Sequence, residues 1–143
     1  MIDLNVLLDV LQKREPHYRT SARVVELAVT GDVVAKVPAH AITTIHYLVG
    51  RLRDCETANA AVDWLLRYLD VIPVTREELL RARALGWQDF EDAVVAAAAE
   101  SAGCSRIVTR NVADFAGSPV LAVTPEEFML DLDIGPGDSR RSY

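Results

Sequence analysis

The sequence is poor in the features that would mark a secreted, membrane-spanning or polyanion-coating protein. Its two cysteines, Cys55 and Cys104, stand far apart and in no CxxC pattern. That excludes a disulfide scaffold and a cysteine zinc site, and leaves two buried, reduced thiols as the expectation. Lysine is scarce, and none follows Lys36. Fifteen basic against 21 acidic residues leave a net charge of −6. A broad basic surface for unselective polyanion binding is therefore excluded, although a small basic rim around a site is not. No apolar run approaches the roughly 18 residues of a membrane helix, so no membrane association is expected. Met1-Ile2-Asp3 opens with neither a basic nor a long apolar segment, so no secretory leader is expected. What remains is a chain of 143 residues, 50% hydrophobic and 25% charged, enough to bury a core as one domain. The expectation is a cytoplasmic single domain over 1–133, with a disordered tail over 134–143.

Short β-branched runs alternate with longer stretches of helical spacing. Met1-Ile2 leads into a helix over Asn5–Leu11, and Pro16 interrupts it. A second helix spans His17–Thr30, with Gly31 as its stop. Val33–Pro38 reads as a strand, followed by a helix over Ala39–Arg53 with Ile42, Ile45, Leu48 and Val49 inward. Another helix runs from about Cys55 with Ala58, Val62, Leu65, Leu66 and Leu69 on one face. Val71–Val74 is the next strand, and Thr75 with Glu78 makes a capping box for a helix to Leu85. Asp89–Ala102 is nearly all Ala and Val after its acidic first turn, which predicts burial on most of its circumference. Ile107–Thr109 and Pro119–Val123 are the last strands, and Thr124–Glu127 caps a final helix. Strands separated by helices imply an α/β fold: a three-layer α/β/α sandwich around a central parallel sheet of four to five strands.

In open parallel sheets, ligands bind outside the carboxyl ends of the strands. Asp3, Asn5 and Asp9 follow the first run, and Asp89 and Asp92 open the long apolar helix. Arg110, Asn111 and Asp114 follow the third strand. Taken singly, Asp89 fits an N-cap and Asp114 a turn. Asp3 is different, because a charge at the end of a buried strand is costly unless paired or bound to a cation. Asp92 faces into an Ala/Val-rich helix, four residues before Ala96. Clustered carboxylates repel one another, and with no lysine in the second half a hard divalent cation is the natural compensation.

Met1–Asp9, then Asp89-Phe90-Glu91-Asp92-Ala93, then Val108–Phe115 together resemble the PIN domain, and within it the VapC-type toxins of toxin–antitoxin pairs. The resemblance runs from Met1 to about Met129. It implies a Mg²⁺- or Mn²⁺-dependent ribonuclease, with RNA as substrate, an antitoxin as partner, and a homodimer. Carried onto this chain, the metal ligands and catalytic residues are Asp3, Asp92 and Asp114. Asn5, Asp89 and Asn111 are their neighbours, Thr109 is the hydroxyl residue of the strand end, and Arg110 is the residue placed to meet RNA. Two positions depart from the pattern. Leu4 stands where the family usually has Thr, and Thr44 where it usually has Glu, a change also seen in a subgroup of PIN-like proteins.

His40 and His46 are in no metal-ligand spacing and read as surface or partner-packing side chains. Trp64 and Trp87 read as core or interface aromatics. Arg51, Arg53, Arg81 and Arg83 divide evenly between a phosphate rim and solvated helix faces. A phospho-acceptor receiver domain is excluded by the missing late lysine, and a DxDxT phosphatase by Asp3-Leu4-Asn5-Val6-Leu7. The alternative to a nuclease is a catalytically weakened PIN-like module that binds RNA or protein.

Overall fold

The computed structural model describes residues 1–134, so the expected tail lies, apart from Ile134, outside the described residues. Among the described residues, seven helices and four strands follow in the order α1 (Leu4–Leu11), α2 (Tyr18–Thr30), β1 (Lys36–Pro38), α3 (Ala39–Leu52), α4 (Cys55–Tyr68), β2 (Asp70–Ile72), α5 (Arg76–Leu85), α6 (Phe90–Ser101), β3 (Ile107–Val108), β4 (Ala122–Val123) and α7 (Pro125–Ile134). A 3₁₀ turn over Val112–Phe115 follows β3, where no regular element was expected.

The strands are shorter than the apolar runs that announced them. They form two parallel pairs, β1 with β2 and β3 with β4, rather than one continuous sheet of four to five strands. Lys36 pairs with Asp70 and Pro38 with Ile72 in the first pair, and Ile107 with Ala122 in the second. The Met1–Asp3 segment spans the gap. The Ile2 N–H donates to the Lys36 carbonyl at 2.8 Å, and the Asp3 N–H to the Val108 carbonyl at 2.9 Å. Its contribution stops at a single bridge, Ile2 to Val108, because Asp3 is already the N-cap of α1.

The helix ends follow their local chemistry. Thr75 and Glu78 form the expected capping box on α5, and Thr124 and Glu127 exchange the same pair of bonds on α7. Gly31 closes α2 at φ 82°, a conformation that costs a residue with a Cβ.

One cluster of the core joins Ile2, Val6, Leu7, Val24, Val37, Ile45, Leu65, Val108 and Phe128. A second joins Met1, Val95, Ala96, Ala99, Ile107, Phe115 and Val120. Trp64 packs on the first and Trp87 on the second, the latter edge-on to Phe115 at 5.8 Å. Two burial expectations fail. Leu66 is exposed, because the buried face of α4 runs through Ala58, Ala61 and Leu65 instead. Cys55 is exposed at the start of α4, and Cys104 alone is buried.

Helix α6 is the buried one, with every residue from Ala93 to Ala99 inaccessible. Its alanines let neighbouring elements approach closely, and such a site cannot accept added volume without displacing them. Ala96→Leu is therefore expected to lower stability by about 1–3 kcal/mol through overpacking. Urea denaturation of the purified variant checks this, and an unchanged midpoint would contradict the packing described.

Candidate metal centre

Three segments meet where the Met1–Asp3 segment and β3 end. Asp3 is 3% exposed and carries a carboxylate with two fixed partners. Its Oδ1 accepts from the Leu4 N–H at 2.8 Å, which caps α1, and its Oδ2 accepts from the Thr109 hydroxyl at 2.8 Å. Thr109 is itself buried, and its oxygen accepts in turn from the Asn111 N–H at 3.1 Å. One hydroxyl thus ties the first segment to the loop after β3.

Helix α6 brings the second group. Asp89 is its N-cap and accepts from the Asp92 N–H at 3.2 Å, which fixes the first turn. That turn presents Glu91 and Asp92 toward Asp3, so that one carboxylate oxygen from each of the three lies within 4.8 Å of the others. Glu91 was not among the candidates from sequence. In a helical first turn an acidic residue reads as a solvated dipole partner, and nothing in its spacing singles it out. Its partner is equally non-local: His40, at the start of α3, lies with Nε2 at 2.9 Å from Glu91 Oε1. His40 is therefore an edge of the site rather than the surface or partner-packing histidine that was expected. His46, by contrast, meets Asn59 on α4.

The other candidates are placed less closely. Asp114 is exposed in the 3₁₀ turn, outside the three-carboxylate group, in an open hollow lined with Trp87, Gln88 and Asp89. Asn5 is half-buried in the first turn of α1, and Asn111 is exposed. Thr44 spends its hydroxyl on the His40 carbonyl at 3.2 Å. Arg110 is paired with the buried Asp9, Nε to Oδ2 at 2.7 Å. Arg81 on α5 bonds Glu100 on α6, and Arg51 lies over Tyr47 on its own helix α3.

The electrostatics are those of crowded carboxylates. Burial pushes Asp3 up to about 6, with the Glu91 charge adding and the Thr109 hydrogen bond opposing. Asp92 is pushed up to about 7, by burial first and then by Asp89, Asp3, Glu91 and Asp114. Oxygen donors alone, with negative charge in excess, suit a hard divalent cation.

The PIN domain family model matches residues 1–113. The chain belongs to the PIN domain family. No curated relative matches it in sequence. Its fold is similar to that of several solved structures. The VapBC2 structure from Rickettsia felis, bound to a DNA fragment from its promoter, matches with TM-score 0.69 and 17% identity, covering 87% of this chain and 96% of that one. A toxin–antitoxin complex from Klebsiella pneumoniae gives TM-score 0.65 and 21% identity over 87% and 95%. VapC20 of Mycobacterium tuberculosis, a sarcin–ricin loop cleaving toxin, gives 0.66 and 19% over 85% and 96%. Across this PIN domain no described helix is long and apolar enough to cross a membrane.

Asp3 and Asp92 both hold protons more tightly when folded than when unfolded. Without metal, the stability this brings is complete below their ordinary value of 3.8 and is lost as pH rises through 6 to 7. Asp92→Asn should flatten that decline. In chelator at pH 8 it should exceed wild type by about 1 kcal/mol, a figure kept small because the carboxyl is partly solvated. Urea denaturation at pH 5 and pH 8 measures the difference; parallel pH dependence in the two proteins would refute the repulsion.

Proposed function

We propose that this PIN domain is a divalent-metal-dependent endoribonuclease that cleaves RNA phosphodiesters, and that it is the toxin of a toxin–antitoxin pair in the cytoplasm. The observation that carries the reading is the convergence of Asp3, Glu91 and Asp92 at the end of β3, in a family fold shared with toxin structures. Those three would hold the cation, Mg²⁺ or Mn²⁺, with Asp114 completing the set from the rim. When bound, the cation would supply a Lewis acid for a phosphoryl oxygen and ease deprotonation of the attacking water.

The chain's own groups prepare the reaction. Thr109 fixes the orientation of Asp3, and Asp89 fixes the turn that carries Glu91 and Asp92. Arg110 offers charge-assisted hydrogen bonds to a phosphate of the RNA. Asn5 and Asn111 flank the acids as neutral groups able to orient water or ligand. Thr44 adds no charge, and Glu91 stands in for the acid that α3 lacks. Because Asp3 and Asp92 are held up to about 6 and 7, protons compete with the cation near neutrality.

Asp92→Asn and Asp114→Asn are each expected to abolish cleavage of labelled RNA in Mn²⁺ while keeping the fold. Glu91→Gln should raise the metal concentration for half-maximal cleavage by about tenfold or more, against little change for Thr44→Ala. Wild-type cleavage at limiting metal should rise with pH between 6 and 7 as both carboxyls ionise. Full activity of the Asp92 variant would overturn the site. RNA binding with no cleavage at any metal concentration would favour the weakened binding module instead.

Part of the reading is an antitoxin partner, on the precedent of the toxin–antitoxin complexes that the fold resembles, with a second copy of the chain as homodimer. An acidic site of this kind is silenced most simply by a basic side chain inserted beside the carboxylates. Co-purification with a neighbouring gene product should therefore abolish cleavage, and removing one Arg or Lys of that product should restore it. Inhibition that survives loss of every basic residue near the site would contradict the mode.

A further inference from the structure

Asp9 lies outside the carboxylate cluster, yet it is 0% exposed, in a helix whose other buried residues nearby are Val6, Leu7 and Leu8. A carboxylate in such a place is costly unless its charge is met. It is met by Arg110 from the loop after β3, Nε to Oδ2 at 2.7 Å. The Ser21 hydroxyl of α2 donates to the same oxygen at 3.1 Å. Oδ1 has no hydrogen-bond partner among the described residues.

The arginine is engaged at one end only. Its side chain is 25% exposed, while Nε itself is buried against Asp9 in a close ion-pair contact that lacks hydrogen-bond geometry, so the exposure belongs to other atoms of the side chain. Guanidinium carries five donors in a rigid plane, and an ion pair at Nε restricts where that plane can lie. The ion pair runs through Nε, and the two Nη groups have no hydrogen-bond partner among the described residues. The charge also bears on Asp3, which it favours in the ionised form, so it stands beside the cluster. An arginine free in solvent would lose its rotamer freedom on meeting a substrate, whereas one held by a buried carboxylate has lost it on folding.

We propose that Asp9 is a positioning residue, which anchors Arg110 by Nε so that its Nη edge meets a phosphate of the RNA backbone beside the carboxylate cluster. The proposal rests on the nuclease reading above. It explains why a charge is buried in α1 at all, since an apolar side chain would serve packing better and leave Arg110 unaimed.

Steady-state cleavage of a labelled mixed-sequence single-stranded RNA in Mn²⁺ tests it, with Tm measured on every variant. Arg110→Ala should raise KM about tenfold with kcat changed little, as for one lost charge-assisted phosphate contact. Asp9→Asn should raise KM to a similar degree, and the double variant should be no worse than either single one. Arg110→Lys is the sharpest case. One ammonium can satisfy Asp9 but cannot also present a planar edge, so Tm should hold while KM rises as for Arg110→Ala. A wild-type KM in Arg110→Lys overturns the proposal, as does an Asp9→Asn protein that loses Tm but keeps its KM. Should Asp9→Asn fail to fold, Arg110→Lys alone decides. If wild type neither binds nor cleaves RNA, the nuclease reading fails and takes this one with it. If wild type cleaves and the variants match it, this one alone fails.

Discussion

Two hydrogen bonds to one buried carboxylate tie the start of this chain to the strand end where its acidic residues gather. Asp3 accepts from the Leu4 N–H, which starts α1, and from the Thr109 hydroxyl, which fixes the loop after β3. The same residue's backbone N–H donates to Val108, so the short Met1–Asp3 segment is held between β1 and β3. Strand pairing, helix initiation and site geometry therefore meet in one residue. Two neutral hydrogen bonds to a nearly inaccessible charge do not discharge it, and Asp3 stays high in pKa.

That residual charge sets the character of the region. The chain places Glu91 and Asp92 against Asp3 and supplies little positive charge in return: Arg110 favours ionised Asp3 less than the Thr109 hydroxyl does. A protein selected for stability alone would not crowd carboxylates at a helix N-terminus already capped by Asp89. The arrangement is electrostatically costly by itself, and the proposed cation would relieve that cost. The buried Asp9–Arg110 pair is the complementary device nearby: there the charge is balanced within the chain, and the arginine is kept partly accessible.

Much of the fold was legible because its signals are local. The capping box of Thr75 and Glu78, the stop at Gly31, the all-round burial of α6 and the alternation of strand and helix each depend on a few adjacent residues. Where the reading failed, the deciding partner was remote. Leu66 is apolar and correctly spaced, yet the face of α4 that meets α3 is the one through Ala58 and Leu65. Cys55 was expected inside and stands exposed as the first residue of α4, behind its N-cap Asp54. The apolar runs Val33–Pro38 and Pro119–Val123 overstate their strands, since only the residues with a hydrogen-bonding neighbour extend the ladder.

The sequence by itself determined which helices form and where their caps lie, roughly where the strands run, and that Asp3, Asp92 and Asp114 belong near strand ends and helix starts. Those properties follow from hydrogen bonds and side-chain periodicity within one or two turns of chain. Only the tertiary structure decided which acids share a site. It brought Glu91 within 4.8 Å of Asp3 and left Asp114 on the rim. It also turned His40 onto Glu91 and buried Asp9 beneath Arg110. These choices depend on how α3, α6 and the loop after β3 pack around the Met1–Asp3 segment. Spacing along the chain carries no record of that, because electrostatic coupling acts through space between residues that packing alone makes neighbours.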